Sequence, residues 1–119
     1  MDVEALQQFC ARFPGATVKT WGPPGNVLVY SVGGKEFAYF KLSDPERWRF
    51  SFRATPERFL ELTDVPGVKP ARYRGRYHWL TIVTVATFPE DYLQELVAWS
   101  YRKALHSLSK RAQATITAG

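Results

Sequence analysis

The run VLVYSVGGKEFAYFKL at residues 27–42 leaves this chain few architectures to choose from. Two segments rich in β-branched and aromatic residues, 27–32 and 35–42, flank Gly33-Gly34. A two-residue hairpin turn requires positive φ at its central positions, which glycine adopts without a Cβ clash. An antiparallel pair is therefore expected. Past a turn at 43–46, residues 47–53 alternate: Trp48, Phe50 and Phe52 on one side, Arg47, Arg49, Ser51 and Arg53 on the other. That period of two predicts a half-buried antiparallel strand with an arginine-lined solvent face.

Helical signals surround this β core. Val3, Leu6, Phe9 or Cys10, and Phe13 share one helical stripe behind Asp2 as N-cap, and Pro14-Gly15 closes it, predicting a helix over 2–13. A short strand over 16–21 and a breaker-rich turn, GPPGN at 22–26, precede the hairpin. Thr55-Pro56 opens a short second helix with Phe59, Leu60 and Leu62 on its apolar side. An extended connection over 64–77 leads to a last strand at 78–85. From Pro89 a long helix carries Leu93, Leu96, Val97, Ser100, Tyr101, Ala104, Leu105 and Leu108 along one stripe. The Ala-, Thr- and Gln-rich residues 111–119 read as a flexible tail behind a single domain over 1–110. Helices at the ends of an antiparallel run of about five strands predict an α+β two-layer sandwich, with the terminal helices on one face.

At 119 residues and 45% apolar content, one domain buries enough surface to stand without disulfides or a structural metal. Cys10 is the only cysteine, so no intramolecular disulfide and no thiolate-rich zinc site is expected. The first ten residues carry neither a basic nor an apolar leader pattern, and no run approaches the ~20 apolar residues of a membrane span. A cytoplasmic location without membrane partners follows as the expectation. Sixteen Lys and Arg against eleven Asp and Glu give a net charge of +5, which favours encounters with polyanions without specifying one.

The chemistry concentrates in PGVKPARYRGRYHW, residues 66–79, where Lys69, Arg72, Arg74 and Arg76 stand among Tyr73, Tyr77, His78 and Trp79 with no carboxylate. In an extended segment the three arginines would project to one side. If they met Arg47, Arg49 and Arg53, a phosphate-tracking surface would form, with Tyr73, Tyr77 and His78 available for base contacts. The bland alternative has the arginine stems covering the sheet and pairing with Glu36, Glu46 or Glu57, the tyrosines packing at the core edge, and His78 fixing the loop exit.

The order of elements, the segment 66–79, the LTIVTV strand after it, His78-Trp79 opening that strand, and Ser100-Tyr101 in ELVAWSYRKAL resemble the MmcQ/YjbR family of small bacterial proteins. The similarity covers roughly residues 1–110. The resemblance implies a frataxin-like (CyaY-like) fold and the double-wing DNA-binding motif attributed to the family. Frataxin's iron role is not carried over, because the first helix offers only Asp2 and Glu4 as acids.

No nucleophile elbow, HExxH, Walker A loop or GxGxxG is present, and His78 and His106 are far apart, so neither catalysis nor a metal or other cofactor is expected. Three readings stay open. The first is a non-catalytic, sequence-tolerant DNA binder using Arg47, Arg49, Arg53, Lys69, Arg72, Tyr73, Arg74, Arg76, Tyr77 and His78. The second is an adaptor for a protein partner on the same surface, and the third a small-molecule binder near His78.

Overall fold

The Gly33-Gly34 turn forms as its sequence requires: φ is +55° and +82°, and the hairpin it closes is the centre of the sheet. In the computed structural model, which describes residues 1–118, β1 (Ala16–Trp21), β2 (Val27–Val32), β3 (Lys35–Lys41), β4 (Phe50–Arg53), β5 (Val68–Pro70) and β6 (Trp79–Ile82) make one sheet. Its order is β1-β2-β3-β4-β6-β5, and every pairing is antiparallel. Four helices complete the α+β fold: α1 (Val3–Ala11), α2 (Pro56–Leu62), α3 (Glu90–His106) and α4 (Lys110–Ala118).

Alternation decides what each face of the sheet meets. Val32, Ala38, Phe40, Phe50, Phe52, Leu80 and Ile82 join one core with Leu6 and Cys10 of α1, Leu62 of α2 and the apolar stripe of α3. Burial pushes the Cys10 thiol up to about 12, so it stays a neutral packing group. A register shift between Tyr30 and Ser31 admits one extra residue on β3 and turns Phe37 into the same core. Val29, Tyr39, Ser51 and Thr81 point to the other face, where no helix residue among the described residues lines the groove.

Ser100 and Tyr101 tie α3 to this frame. The Ser100 hydroxyl donates to the Phe37 carbonyl at 2.6 Å and accepts from the Arg53 N–H at 3.0 Å. It fills the place where the β3–β4 ladder, paired from Ala38↔Phe52 to Phe40↔Phe50, has run out. Tyr101 stacks on Phe13 at 4.4 Å and donates from its hydroxyl to the Pro14 carbonyl at 2.7 Å, fastening α1 to α3.

The expected sheet of about five strands is refined, and three other expectations are corrected. The sheet has six strands, because Val68–Pro70 inside the expected connection pairs with β6. Residues 47–49 are not strand: Glu46 to Trp48 form a turn, and Trp48 has φ +70° with its ring edge-on to Phe40. The last strand starts at Trp79 and stops at Ile82, because His78 (φ +67°) caps a 3-10 turn and Val85–Thr87 forms another. Finally, α4 stands where the flexible tail is expected. Ser109 caps it by accepting from the Ala112 N–H, and Ile116 packs on the core over Gly15. Gly119 lies outside the described residues.

The anchoring of α4 has a measurable consequence. A chain ending after Ser109 loses the partly buried Ile116 and is expected to be less stable by about 1–2 kcal/mol. The check is the urea midpoint, and an unchanged value would mean that α4 adds nothing to the fold.

Candidate functional site

The bare face of the sheet is a groove of about 830 Å³. Its floor holds Val27, Val29, Tyr39, Ser51 and Thr81, and the last two hydroxyls share a hydrogen bond at 2.7 Å. Trp21 and the turn at 22–25 bound it on one side, and Lys69, Pro70 and residues 72–74 on the other. Both loops keep these positions for local reasons. Lys41 donates from Nζ to the Gly25 carbonyl at 2.7 Å, holding the first loop. In the second, Tyr73 sits at φ +66° and Ala71 accepts from the Arg74 and Gly75 N–H groups, which curls the chain back on itself.

Five cations line the groove, Lys41, Arg49, Lys69, Arg72 and Arg74, against two carboxylates, Glu36 and Glu46. Arg49 and Arg72 both lie 3.5 Å from the same oxygen, Glu46 Oε2. Arg74 meets Glu36 at 2.6 Å and lays its guanidinium 5.2 Å from the Tyr39 ring centroid and 5.1 Å from that of Trp79. Lys69 is exposed and makes no ion pair among the described residues. The long loop and the segment before β4 therefore do share a face, which the sequence left open, and carboxylates already occupy part of their charge.

Of the ten residues singled out from sequence, Arg49, Lys69, Arg72, Tyr73 and Arg74 line the groove. The others do not. Arg47 lies over the Trp48 ring at 4.9 Å. Arg53 belongs to a separate cleft of about 200 Å³ with Lys35, Lys103 and Ser107. Arg76 folds over Tyr77 at 4.8 Å, because the 3-10 turn over Gly75–Tyr77 breaks the expected alternation of 72, 74 and 76. His78 packs edge-on against Phe59 at 5.4 Å and accepts through its carbonyl from the Ala54 N–H, which fixes the exit of the loop. Pairing with Glu36 and Glu46 follows the bland alternative. Sequence reasoning missed Tyr39, Lys41 and Thr81. Tyr39 and Lys41 alternate with Ala38 and Phe40 on β3, and that period was the available signal.

Among the described residues, no three His, Cys, Asp or Glu side chains gather closely enough to hold a metal ion. No helix among them is long and apolar enough to cross a membrane.

The family model for YjbR matches residues 11–103, from the end of α1 through most of α3. The chain belongs to the YjbR family. It is similar to a Deinococcus radiodurans protein of known crystal structure that carries a DUF419 domain, with a TM-score of 0.81 and 25% identity over 98% of this chain and 88% of that one. It is also similar to a Pseudomonas syringae protein of known structure, with a TM-score of 0.69 and 15% identity over 87% of this chain and 99% of that one. The second likeness shows the fold alone. No curated protein matches the chain. Within the YjbR match lie β1 to β6 and the Ser100-Tyr101 pair, so both walls of the groove fall inside the family domain.

Proposed function

We propose that this YjbR-family chain is a non-catalytic, sequence-tolerant DNA-binding protein of the bacterial cytoplasm, and that the bare sheet face is its contact surface. The observation that carries this reading is the groove itself: an excess of cations with exposed aromatics, on the one face the helices leave uncovered. Guanidinium and ammonium groups that neutralise phosphates release counterions, and that release supplies sequence-independent affinity. The turn at 22–25 and the loop at 72–74 are the two wings in this reading.

Binding is expected in the range of about 10⁻⁴ to 10⁻⁶ M and to weaken steeply with salt. A titration against DNA at several salt concentrations tests it, and affinity that does not vary with salt would sink it. The ion pairs sharpen the test. Glu46 holds two guanidiniums that a phosphate would need, so Glu46→Gln is expected to tighten binding, on the order of fivefold at 0.1 M salt. Weaker binding in that variant would mean that Glu46 serves to position Arg49 and Arg72.

A protein partner is the second reading, favoured by β1, an edge strand with Val18 and Trp21 exposed. A partner retained after nuclease treatment would support it.

A further inference from the structure

We infer that the groove takes unpaired rather than double-helical DNA, an inference that rests on the reading above and narrows its ligand. Two aromatic rings stand at the groove with large areas uncovered: Trp21 is 49% exposed and Tyr73 is 89% exposed. They sit on opposite walls, one at the end of β1 and the other in the loop after β5. Lys19 places Nζ 4.0 Å from the Trp21 ring centroid, so a cation accompanies that ring. On the other wall, Arg72 adjoins Tyr73 in the chain, and both line the groove.

An exposed ring does little for a duplex, whose bases already stack on one another and offer only their edges. It is a platform for a base that has lost its neighbours, and every base has a π-face, so stacking is sequence-tolerant. Between the rings the floor is apolar at Val27, Val29 and Tyr39, with the Ser51–Thr81 hydroxyl pair as its polar point. Six strands spaced ~4.8 Å apart make a face about 24 Å across, compatible with the lower site sizes of sheet-type single-strand binders, about four nucleotides. A single strand lying across the strands would set bases on Trp21 and Tyr73 while its phosphates passed Arg49, Lys69 and Arg72.

The test compares a deoxythymidine oligomer of about 15 nucleotides with a duplex of equal length at equal salt, on the full chain and on the variants Trp21→Ala, Trp21→Phe and Tyr73→Ala. The expected result is tighter binding of the single strand. Each alanine variant should weaken it by at least about fivefold, leave the duplex unchanged and melt like the parent, and Trp21→Phe should restore most of the loss. Equal or tighter duplex binding, or alanine variants that bind the single strand as the parent does, would overturn the inference while DNA binding stands. Binding to neither probe would overturn both.

Discussion

Replacing Ser100 by alanine is expected to cost about 2–4 kcal/mol, although the change removes one atom and no charge. Ser100 is 2% exposed, and its hydroxyl serves two backbone groups at once, the Phe37 carbonyl and the Arg53 N–H. Neither has a strand partner to fall back on, because the β3–β4 ladder ends at Ala38↔Phe52. A buried polar group left unpaired costs roughly 1–3 kcal/mol, and here two are orphaned together. The small cleft that Ser100 and Arg53 share lets water reach part of this site, which keeps the estimate below the sum of two full penalties. For a domain of this size the melting temperature should fall by roughly 8–16 °C. Thr63→Ala is the control, since that exposed hydroxyl only bonds back to the Leu60 carbonyl and should change stability by less than about 0.5 kcal/mol. If the Ser100 variant melts beside the control, water has replaced the hydroxyl and the bridge does not hold α3 to the sheet.

That expectation separates the two signatures that carry the family resemblance. Ser100-Tyr101 works in the frame: one hydroxyl ends a strand ladder and the other locks α1 to α3. His78-Trp79 works beneath the groove. His78 turns the chain out of the loop, and Trp79 lies buried under the guanidinium of Arg74 and beside the Tyr39 ring at 5.7 Å. The two pairs that carry the resemblance are thus supports. The side chains that a ligand would touch, Trp21, Lys69, Arg72 and Tyr73, lie outside both pairs.

How much of this was legible depended on the range of each interaction. The hairpin, the Phe50–Phe52 alternation and the α3 stripe are local periodicities, and all three stand in the structure. Val68–Pro70 escaped because three residues carry too little period to be seen, and their strand character comes only from pairing with β6. The tail misled for a related reason. Its composition is poor in large apolar residues, but one isoleucine, placed over Gly15, is enough to seat a capped helix. In the site, the arginine count was legible and the arrangement was not. Positive φ at Tyr73 and His78 around a 3-10 turn sends Arg74 inward and Arg76 away, which no alternation rule anticipates for non-glycine residues. Trp48 at φ +70° removes Arg47 in the same manner.

The double variant Lys69→Ala/Arg72→Ala is expected to lose about 25-fold in affinity for a single DNA strand at 0.1 M salt, with the fold unaffected. The slope of log K against log salt is about 0.7 per phosphate contact on single strands, so two lost contacts flatten it by about 1.4. The same slope makes each contact worth about fivefold at 0.1 M relative to 1 M salt, and two multiply to about 25. These residues are chosen because they are exposed and lightly held. Lys69 has no ion pair among the described residues, and Arg72 is 68% exposed at 3.5 Å from a carboxylate that Arg49 continues to share. An exposed pair of that kind adds ~0–1 kcal/mol, so the melting temperature should barely move. Arg74 is a poor substitute for this experiment. Its loss would leave Glu36 unpaired and uncover Tyr39 and Trp79, so weaker binding there could come from a disturbed groove. The double variant thus divides the outcomes cleanly. A flatter slope with an unchanged melt assigns phosphates to this wall, whereas an unchanged slope removes Lys69 and Arg72 from any phosphate contact, whatever their charge.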